Sequence, residues 1–436
     1  MCRLQVRSLR RESARPRPIQ ATRASVLPSS LALIAAVAVL VSSGAALADN
    51  PPLTGSNYAI DVYQGPVLAP VRVSGLAGAY APIAEGVEGV SVNTAAPAVR
   101  PLYSSQHVDF DLSLAFTFPS SLRGNDFDNN GAVGFANDDF IFTQFGGLIQ
   151  WGPWGFGGQT SIQTYTLGQD ANGQLLQLGM SRFQVQLARA LFDRELVVGV
   201  GIRAVSLDIN VAEDANNKLA SMSGINVEAG AVWTPLALPL RAALTLRAPV
   251  HGGLTPNGPA TADEAGNVKV AGLYLPSSIR LPWEIEAGVA YQFGERPLQL
   301  PWGPDRAERF KALPRAKLLL TGSVLISGAA SNAIGFDSFL SQRLERSGRH
   351  LSISPRIGAE LEPLEDRLQL RAGSYLEPSR FDSTGPRLHG TASAEVRLFR
   401  WSVFGLMSPD TSWRISGFAD VARLYFGWGF GVGTWH

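Results

Sequence analysis

Cysteine, charge and long apolar runs are all scarce in this chain. Its 436 residues include one cysteine, Cys2, and only 17% charged residues, against roughly 25% in an average soluble domain. A single cysteine excludes a disulfide framework, and a near-zero net charge with 45% hydrophobic residues excludes intrinsic disorder. Apart from one short N-terminal run, no stretch approaches the roughly 20 apolar residues that a membrane-spanning helix needs. The 45 glycines argue against a coiled coil. A large β-protein is the class that remains, and a membrane barrel is one form of it.

The first 48 residues have the layout of an export signal. Seven arginines lie near the start, an apolar run follows over residues 31–41, and small residues stand at Ala46 and Ala48. This order predicts a secretory signal peptide, residues 1–48, cleaved after Ala48. A single membrane anchor is the alternative, and the short apolar run disfavours it. Cleavage would change the formal charge from +1 to −5 and remove Cys2, so neither a thiol nor a basic cluster for nucleic acid would remain.

From residue 108 onward, apolar residues alternate with small or polar ones. This period of two is typical of strands with one apolar face. We count about 14 such segments, each roughly as long as a strand that crosses a bilayer at a tilt. They lie near 108–118, 138–151, 154–167, 179–192, 196–202, 225–233, 240–250, 283–293, 315–328, 350–361, 367–376, 388–399, 400–406 and 413–434.

A soluble β-sandwich also alternates, so the connections must separate the two cases. Long connections near 119–137, 168–178, 210–222, 251–281, 328–349 and 377–387 alternate with tight links at 151–154, 192–194, 234–239, 363–366 and 399–401. Outer-membrane barrels have long external loops and short periplasmic turns. Only the connection 294–314 breaks this rule, because it is long and falls on the periplasmic side.

Tryptophans also favour the membrane barrel. Most fall at proposed periplasmic strand ends, and Trp283 falls at an external end, as expected for an aromatic girdle. The periplasmic set is Trp151, Trp154, Trp233, Trp401 and Trp435. The sequence thus predicts an all-β transmembrane antiparallel barrel over 108–436, in the outer membrane of a Gram-negative bacterium. We expect it to be a monomer. Because its last strand is amphipathic and aromatic, we also expect the outer-membrane barrel assembly machinery to insert it.

The segment 49–107, ahead of the predicted barrel, alternates poorly. It is rich in glycine and small residues, which suit a compact segment that packs closely inside something. A periplasmic tail or a first strand are the alternatives. Its distinctive residues are Gly75, Gly78, Ala79, Tyr80, Asn93 and Pro97.

These residues resemble the N-terminal hatch of the FadL family, the outer-membrane transporters of long-chain fatty acids and hydrocarbons. The family's hatch has a G-x-G-G-A-Y-x-A-x-A-D-D stretch and then Asn-Pro-Ala; here three residues separate Asn93 from Pro97. Stretches 275–282 and 370–375 resemble the family too, and the type IX secretion shuttle barrels are its relatives. The resemblance implies a 14-stranded barrel with a hatch in its lumen, and a hydrophobic ligand that leaves laterally through a gap in the wall.

Few residues carry chemistry. The five histidines are far apart, and neither G-x-S-x-G nor a phosphate-binding loop occurs. We therefore expect no enzyme and no cofactor. Asp126, Asp128 and Asn130 match the opening of a calcium loop, D-x-D-x-N-G, and mark a candidate weak calcium site. Because Asn137 stands where such loops have glutamate, a solvated turn is the favoured interpretation.

Two functions fit these patterns. The leading hypothesis is an outer-membrane transport protein that carries hydrophobic small molecules, such as long-chain fatty acids, through a plugged barrel with lateral release. Its partners would be outer-membrane lipid and the hydrophobic ligand, and not nucleic acid. The alternative is a non-transporting barrel that docks secreted proteins or scaffolds the membrane. A plain porin is disfavoured by the hatch-like segment.

Overall fold

A closed antiparallel barrel of 14 strands forms the body of the protein. In this computed structural model each strand pairs with its neighbour, and the last strand returns to pair with the first, Leu114 opposite Val432. The described residues are 50–119, 125–133, 141–169, 175–211, 214–256, 261–270, 272–314, 316–402 and 411–434. The predicted signal peptide lies outside them.

The strands follow the alternating segments of the sequence. They are β1 Val108–Phe118, β2 Ile141–Trp151, β3 Trp154–Gln169, β4 Leu175–Leu191, β5 Leu196–Val211, β6 Asp214–Trp233, β7 Leu240–Arg247, β8 Glu284–Phe293, β9 Leu318–Ser327, β10 Ser352–Leu364, β11 Leu368–Glu377, β12 Arg387–Arg400, β13 Ser412–Ala422 and β14 Tyr425–Thr434. The fold class and the strand number that the resemblance implied are both confirmed.

Outward-facing side chains are apolar around the barrel. Phe183, Val200 and Val227, for example, are 55%, 60% and 62% exposed on β4, β5 and β6, while polar residues between them face inward. Trp151 and Trp233 are also exposed, at the end where the short turns gather. An apolar band with an aromatic girdle is the surface that an outer-membrane barrel presents to lipid.

Two predicted strand boundaries were wrong near the C-terminus. The segment 413–434 is two strands, β13 and β14, joined by a turn in which Leu424 has φ 54°. The link at 399–401 was also misplaced, because β12 continues through Phe399 to Arg400. Neither glycine nor proline marks the Leu424 turn, and apolar alternation continues across it, so the pattern read as one strand. The predicted strand 400–406 lies mostly outside the described residues.

Strands β3 to β6 are longer than predicted, at 16 to 20 residues. They extend into the segments 168–178 and 210–222, where we expected loops. The additional residues lengthen the barrel wall at its external end and form an external extension. Side chains from this extension, such as Leu178 and Ala220, are fully buried in an apolar cluster at the external end of the lumen.

The external end also carries a small sheet that includes the N-terminal part of the described chain. Ala59–Asp61 lies parallel to both Ser278–Leu281 and Ala333–Ile334. The described chain therefore lies on the external side over residues 59–61 and then runs through the lumen to reach β1 from the periplasmic side. The other short strands are Val250–Pro256, Thr261–Ala262, Val268–Val270, Leu273–Tyr274 and Arg346–Ser347.

Helices are few and short. They are α1 Val71–Gly75, α2 Arg306–Ala312 and α3 Phe336–Leu340, with 3₁₀ turns at Val87–Ser91, Ala96–Ala98 and Phe192–Arg194. In the described ranges, no helix has the length and apolar character that crossing a membrane requires.

The long periplasmic connection 294–314 packs against the segment that enters β1. It carries α2, and Arg306 of this helix is buried and donates hydrogen bonds to the carbonyls of Pro101 (3.0 Å) and Ser104 (2.7 Å). The connection thereby packs over the segment that leads from the lumen into β1. Its length serves to cover the periplasmic mouth, which a tight turn could not do.

Candidate functional site

Residues 71–99, which we call the hatch segment, lie inside the barrel. Almost all of them are buried, and their backbone carbonyls accept hydrogen bonds from side chains on strands all around the wall. Since polar groups removed from water need such partners, the bonds fix the segment in place. The donors and acceptors are Gln150 to Pro97 (2.9 Å), Gln186 to Val90 (2.8 Å), Thr245 to Val92 (3.2 Å), Thr321 to Ala79 (2.7 Å) and Thr391 to Gly75 (3.0 Å).

Buried ion pairs add to this anchoring. Arg72 of the hatch segment binds Glu360 of β10 through two hydrogen bonds, Nε to Oε2 at 2.8 Å and Nη2 to Oε1 at 3.0 Å. Lys317 and Arg371 also reach Glu360, each at 2.6 Å. One buried carboxylate thus pairs with three cations. Removing this carboxylate would leave buried positive charge without its partner, which is strongly destabilising.

The ion pairs continue along the neighbouring strands. Arg371 of β11 pairs with Glu395 of β12 at 3.0 Å, and Glu395 pairs with Arg414 of β13 at 2.7 Å. Arg414 then returns to the hatch segment through Glu88 at 2.9 Å. On the opposite wall, Arg241 of β7 pairs with Glu85 at 2.8 Å. The hatch segment is therefore clamped by charge on two sides of the barrel.

The structure places the six predicted hatch residues at separate points along this segment. Gly75 lies against Ser393, whose Oγ would be 2.0 Å from an added Cβ, and Gly78 has φ 77°, which favours glycine. Tyr80 accepts a hydrogen bond from Arg72 and donates one to the Glu85 carbonyl. Ala79 and Pro97 supply the carbonyls described above. The Asn93 side chain donates to the carbonyls of Ala81 and Ala231 and accepts from the amide of Ala95.

The candidate calcium residues form a turn that is held by other groups. The two oxygens of Asp126 accept hydrogen bonds from the amides of Asn130 (2.9 Å) and Gly131 (3.0 Å). Arg387 lies 3.7 Å from the same carboxylate, and the Asn130 side chain accepts from Ala132. In the described part of the chain, no group of three or more His, Cys, Asp or Glu side chains is arranged to hold a metal ion. The weak calcium site stays a prediction.

Between the hatch segment and the external apolar cluster lies a polar cavity of about 170 Å³. Its lining includes glutamines and serines from β2, β3 and β4, and Tyr63 from the segment that leads to α1. Charge is unevenly distributed in it, with four arginines against two glutamates. They are Arg182, Arg203, Arg247, Arg356, Glu284 and Glu286.

Beside this cavity the β7–β8 ladder is interrupted. Pairing ends at Arg247 opposite Glu284 and resumes only at Val250 opposite Leu281. The interruption contains Pro249 and Pro282, which lack the amide hydrogen that a ladder needs. Beyond it, Val250–Pro256 pairs with Ser278–Leu281 of the small external sheet and also with the extended part of β6, so the interruption is confined to residues 248–249 and 282–283.

Two side chains satisfy the carbonyls that the interruption leaves without ladder partners. Arg203 of β5 donates to the Ala248 carbonyl at 2.6 Å and to the Pro282 carbonyl at 2.9 Å, and it pairs with Glu284 at 2.9 Å. Asn226 of β6 donates to the Pro249 carbonyl. The wall is therefore closed here by side chains rather than by strand pairing.

On the lipid side of the same region there is an apolar groove of about 800 Å³. Outward residues of β3 to β8 line it, among them Phe156, Val200, Val227 and Leu246, together with Trp283. Arg247 and Glu284 also border both this groove and the inner cavity. The wall interruption thus lies between a polar space inside and an apolar space outside.

Sequence reasoning did not find the wall site. Pro249 and Pro282 sat at the ends of strand-like segments and could have marked the interruption. Nothing in the sequence connects Arg203 or Asn226 with those prolines, because the contact depends on how β5 and β6 lie beside β7.

Neither a protein-family model nor a curated protein matches the sequence. Among solved structures, the chain is similar to the "CymD monoaromatic hydrocarbon channel", with 12% identity, a TM-score of 0.48, and coverage of 84% of this chain and 96% of that chain. It is also similar to the P. putida toluene transporter TodX, with 12% identity, a TM-score of 0.48, and coverage of 87% and 98%.

Proposed function

We propose that this protein is an outer-membrane transporter of amphipathic hydrophobic compounds, with long-chain fatty acids as the substrate class. The ligand exchanges laterally between the lumen and the membrane at the β7–β8 interruption. The observation that carries the proposal is that the inner polar cavity and the outer apolar groove share Arg247 and Glu284 as their common border.

The two spaces suit the two ends of such a molecule. An acyl chain in the groove would contact Phe156, Val200 and Val227, and each methylene removed from water contributes about 0.8 kcal/mol. A carboxylate head would face the cavity, where the excess of arginine over glutamate favours an anion. A ligand with an apolar end and an anionic end is therefore the class that fits both.

The hatch segment supports a route through the wall rather than along the barrel axis. We propose that residues 49–107 act as the plug, with Gly75, Gly78, Ala79, Tyr80, Asn93 and Pro97 as its packing residues. A plugged lumen is a poor path for water-soluble solutes. A blocked lumen hinders an apolar solute little, because such a solute already partitions into the membrane beside the groove.

Binding of a radiolabelled long-chain fatty acid to the purified protein tests this proposal. We expect saturable binding by the wild type and a clear loss on Ala248→Trp, which would fill the groove beside the interruption. The matched control is Ile353→Trp, an exposed lipid-facing position on β10, which should bind like the wild type. Absence of saturable binding across several apolar ligands, or equal binding by both variants, would contradict the lateral route.

A further inference from the structure

The periplasmic face holds a group of arginines that the transport route does not use. Arg100, Arg194 and Arg306 surround the indole of Trp302, with their guanidinium carbons 4.8, 4.2 and 5.3 Å from its ring centre. We call this group the periplasmic arginine cluster. It joins three separate parts of the chain: the exit from the lumen, the β4–β5 turn and the long connection that carries α2.

Neutral groups are the hydrogen-bond partners of the cluster. Arg194 donates to the Gly152 carbonyl at 2.6 Å, and Arg100 donates to Ser104 Oγ at 2.9 Å and to the Gln106 carbonyl at 2.6 Å. In the described part of the chain none of the three arginines forms an ion pair. Arg100 Nε and Arg194 Nη1 are buried with no hydrogen-bond partner among these residues.

The positive charge in the cluster is therefore poorly compensated. Burial, and then the neighbouring Arg100, lower the pKa of Arg194 to about 10. Burial also lowers the pKa of Arg306 to about 10, with Arg194 as the next cause. Asp109 acts on Arg100 in the opposite direction, but burial outweighs it. Asp305 is engaged with Arg309 at 2.9 Å.

The cluster contacts the aromatic girdle at the periplasmic end of the barrel. Gly152, which accepts from Arg194, stands between the stacked girdle residues Trp151 and Trp154. Trp302 itself remains 37% exposed. Aromatic girdles mark the membrane interface, and Arg194, the one arginine of the cluster that is not buried, would meet a phosphate there.

The β4–β5 turn presents an exposed apolar side chain beside the cluster. Three consecutive residues that are not glycine, Phe192, Asp193 and Arg194, have φ of 49°, 52° and 73°, a conformation that L-residues rarely adopt. The turn places Phe192 outward, where it is 74% exposed, and Arg194 against Trp302. Strained backbone that is retained in a structure is a reason to look for function.

We infer that the periplasmic arginine cluster binds the phosphate of an anionic phospholipid from the periplasmic leaflet, with Phe192 inserted among the acyl chains beside it. Basic pockets at a membrane interface recognise anionic headgroups in this way. The phosphate could also come from free inorganic phosphate, and the experiment separates the two sources.

Native mass spectrometry of the full-length purified protein in detergent tests the site. Phosphatidylglycerol and phosphatidylcholine are offered at equal concentration, and inorganic phosphate is offered separately. We expect the wild-type protein to retain phosphatidylglycerol in preference to phosphatidylcholine. Arg194→Gln should weaken that preference roughly fivefold, as expected for one lost interfacial charge. Arg194→Lys should keep most of it.

The matched control is Arg349→Gln, an exposed external arginine, which should retain the wild-type preference. Far-UV circular dichroism confirms that each variant is folded. If Arg194→Gln fails to fold, Phe192→Ser is the second variant and should also weaken lipid retention. Equal retention of the two lipids by the wild type, or an unchanged preference in Arg194→Gln and Phe192→Ser, would overturn the inference. Binding of inorganic phosphate without any lipid preference would overturn the lipid as the source.

Discussion

The two halves of the lumen are filled in different ways. The periplasmic half holds the hatch segment, which is anchored by ion pairs such as Arg72 with Glu360 and by hydrogen bonds to its carbonyls. The external half holds an apolar cluster in which Ile60, Leu207 and Met222 are fully buried. Charge specifies one position and partner for each group, whereas apolar packing tolerates rearrangement. We therefore expect the hatch segment below to be fixed and the region above to be more adaptable, with the polar cavity between them.

The largest effect should come from removing the contents of the lower half. Deleting residues 50–100 should turn a silent barrel into a conducting one in planar bilayers, since the lumen then loses the hatch segment. Deleting only residues 50–63 is the matched control, because it removes the external strand Ala59–Asp61 and leaves the hatch segment in place. That shorter deletion should stay silent. Equal conductance from the two deletions would argue that the hatch segment is not the plug.

Removing one central charge should be the next largest perturbation. Glu360→Gln leaves Arg72, Lys317 and Arg371 without their shared carboxylate. Loss of one partner from a buried ion pair costs about 3–5 kcal/mol. Urea unfolding in detergent measures the total cost, and hydrogen exchange should show faster exchange across residues 71–99. Unchanged exchange in that range would mean that charge does not hold the hatch segment.

The upper half should respond locally to the loss of apolar volume. Ile60→Ala removes a fully buried side chain from the external cluster, with an expected cost of about 2–4 kcal/mol. Hydrogen exchange should increase in residues 53–62 and 278–281, which pack or pair with it. Residues 71–99 should be unaffected. Faster exchange in both ranges would show that the two halves are not independent.

A smaller effect is expected from crowding the hatch segment. In Gly155→Ala the new Cβ would lie 1.9 Å from the Pro97 carbonyl oxygen, so the turn Ala96–Ala98 must shift. Overpacking of this kind costs about 1–3 kcal/mol. Gly179→Ala, on β4, is the matched control, because no heavy atom lies within 4 Å of its added Cβ. Thermal unfolding should separate the two variants, and equal midpoints would contradict the close fit.

The smallest effect should come from a charge outside the lumen. Arg349 pairs with Asp382 at 2.9 Å, but the two side chains are 62% and 50% exposed. Exposed pairs contribute about 0–1 kcal/mol. Arg349→Gln should therefore leave the urea midpoint almost unchanged. A loss comparable with that of Glu360→Gln would remove the contrast between buried and exposed charge.

The barrel could be predicted from the sequence, whereas the interruption in its wall could not. Alternation along 108–118 and similar segments is local, so a reader of the sequence can find β1 and its neighbours one at a time. The turn at Leu424 could not be predicted because no glycine or proline marks it. The pairing of Arg72 with Glu360 joins residues 288 positions apart, and the closure of the wall by Arg203 depends on three neighbouring strands. Such contacts follow from the closed barrel, and no local pattern encodes them.

Trp283 provides the most direct measurement of the proposed route, since this side chain lines the outer groove beside the wall interruption. A fatty acid brominated on its acyl chain quenches tryptophan fluorescence at close range. Titrated into the purified protein in detergent, it should produce saturable quenching, and Trp283→Phe should lose the saturable part. Trp413→Phe, a tryptophan on β13 at the periplasmic end, is the control and should retain it. Absence of saturable quenching, or equal quenching in Trp283→Phe, would contradict an acyl chain in the groove.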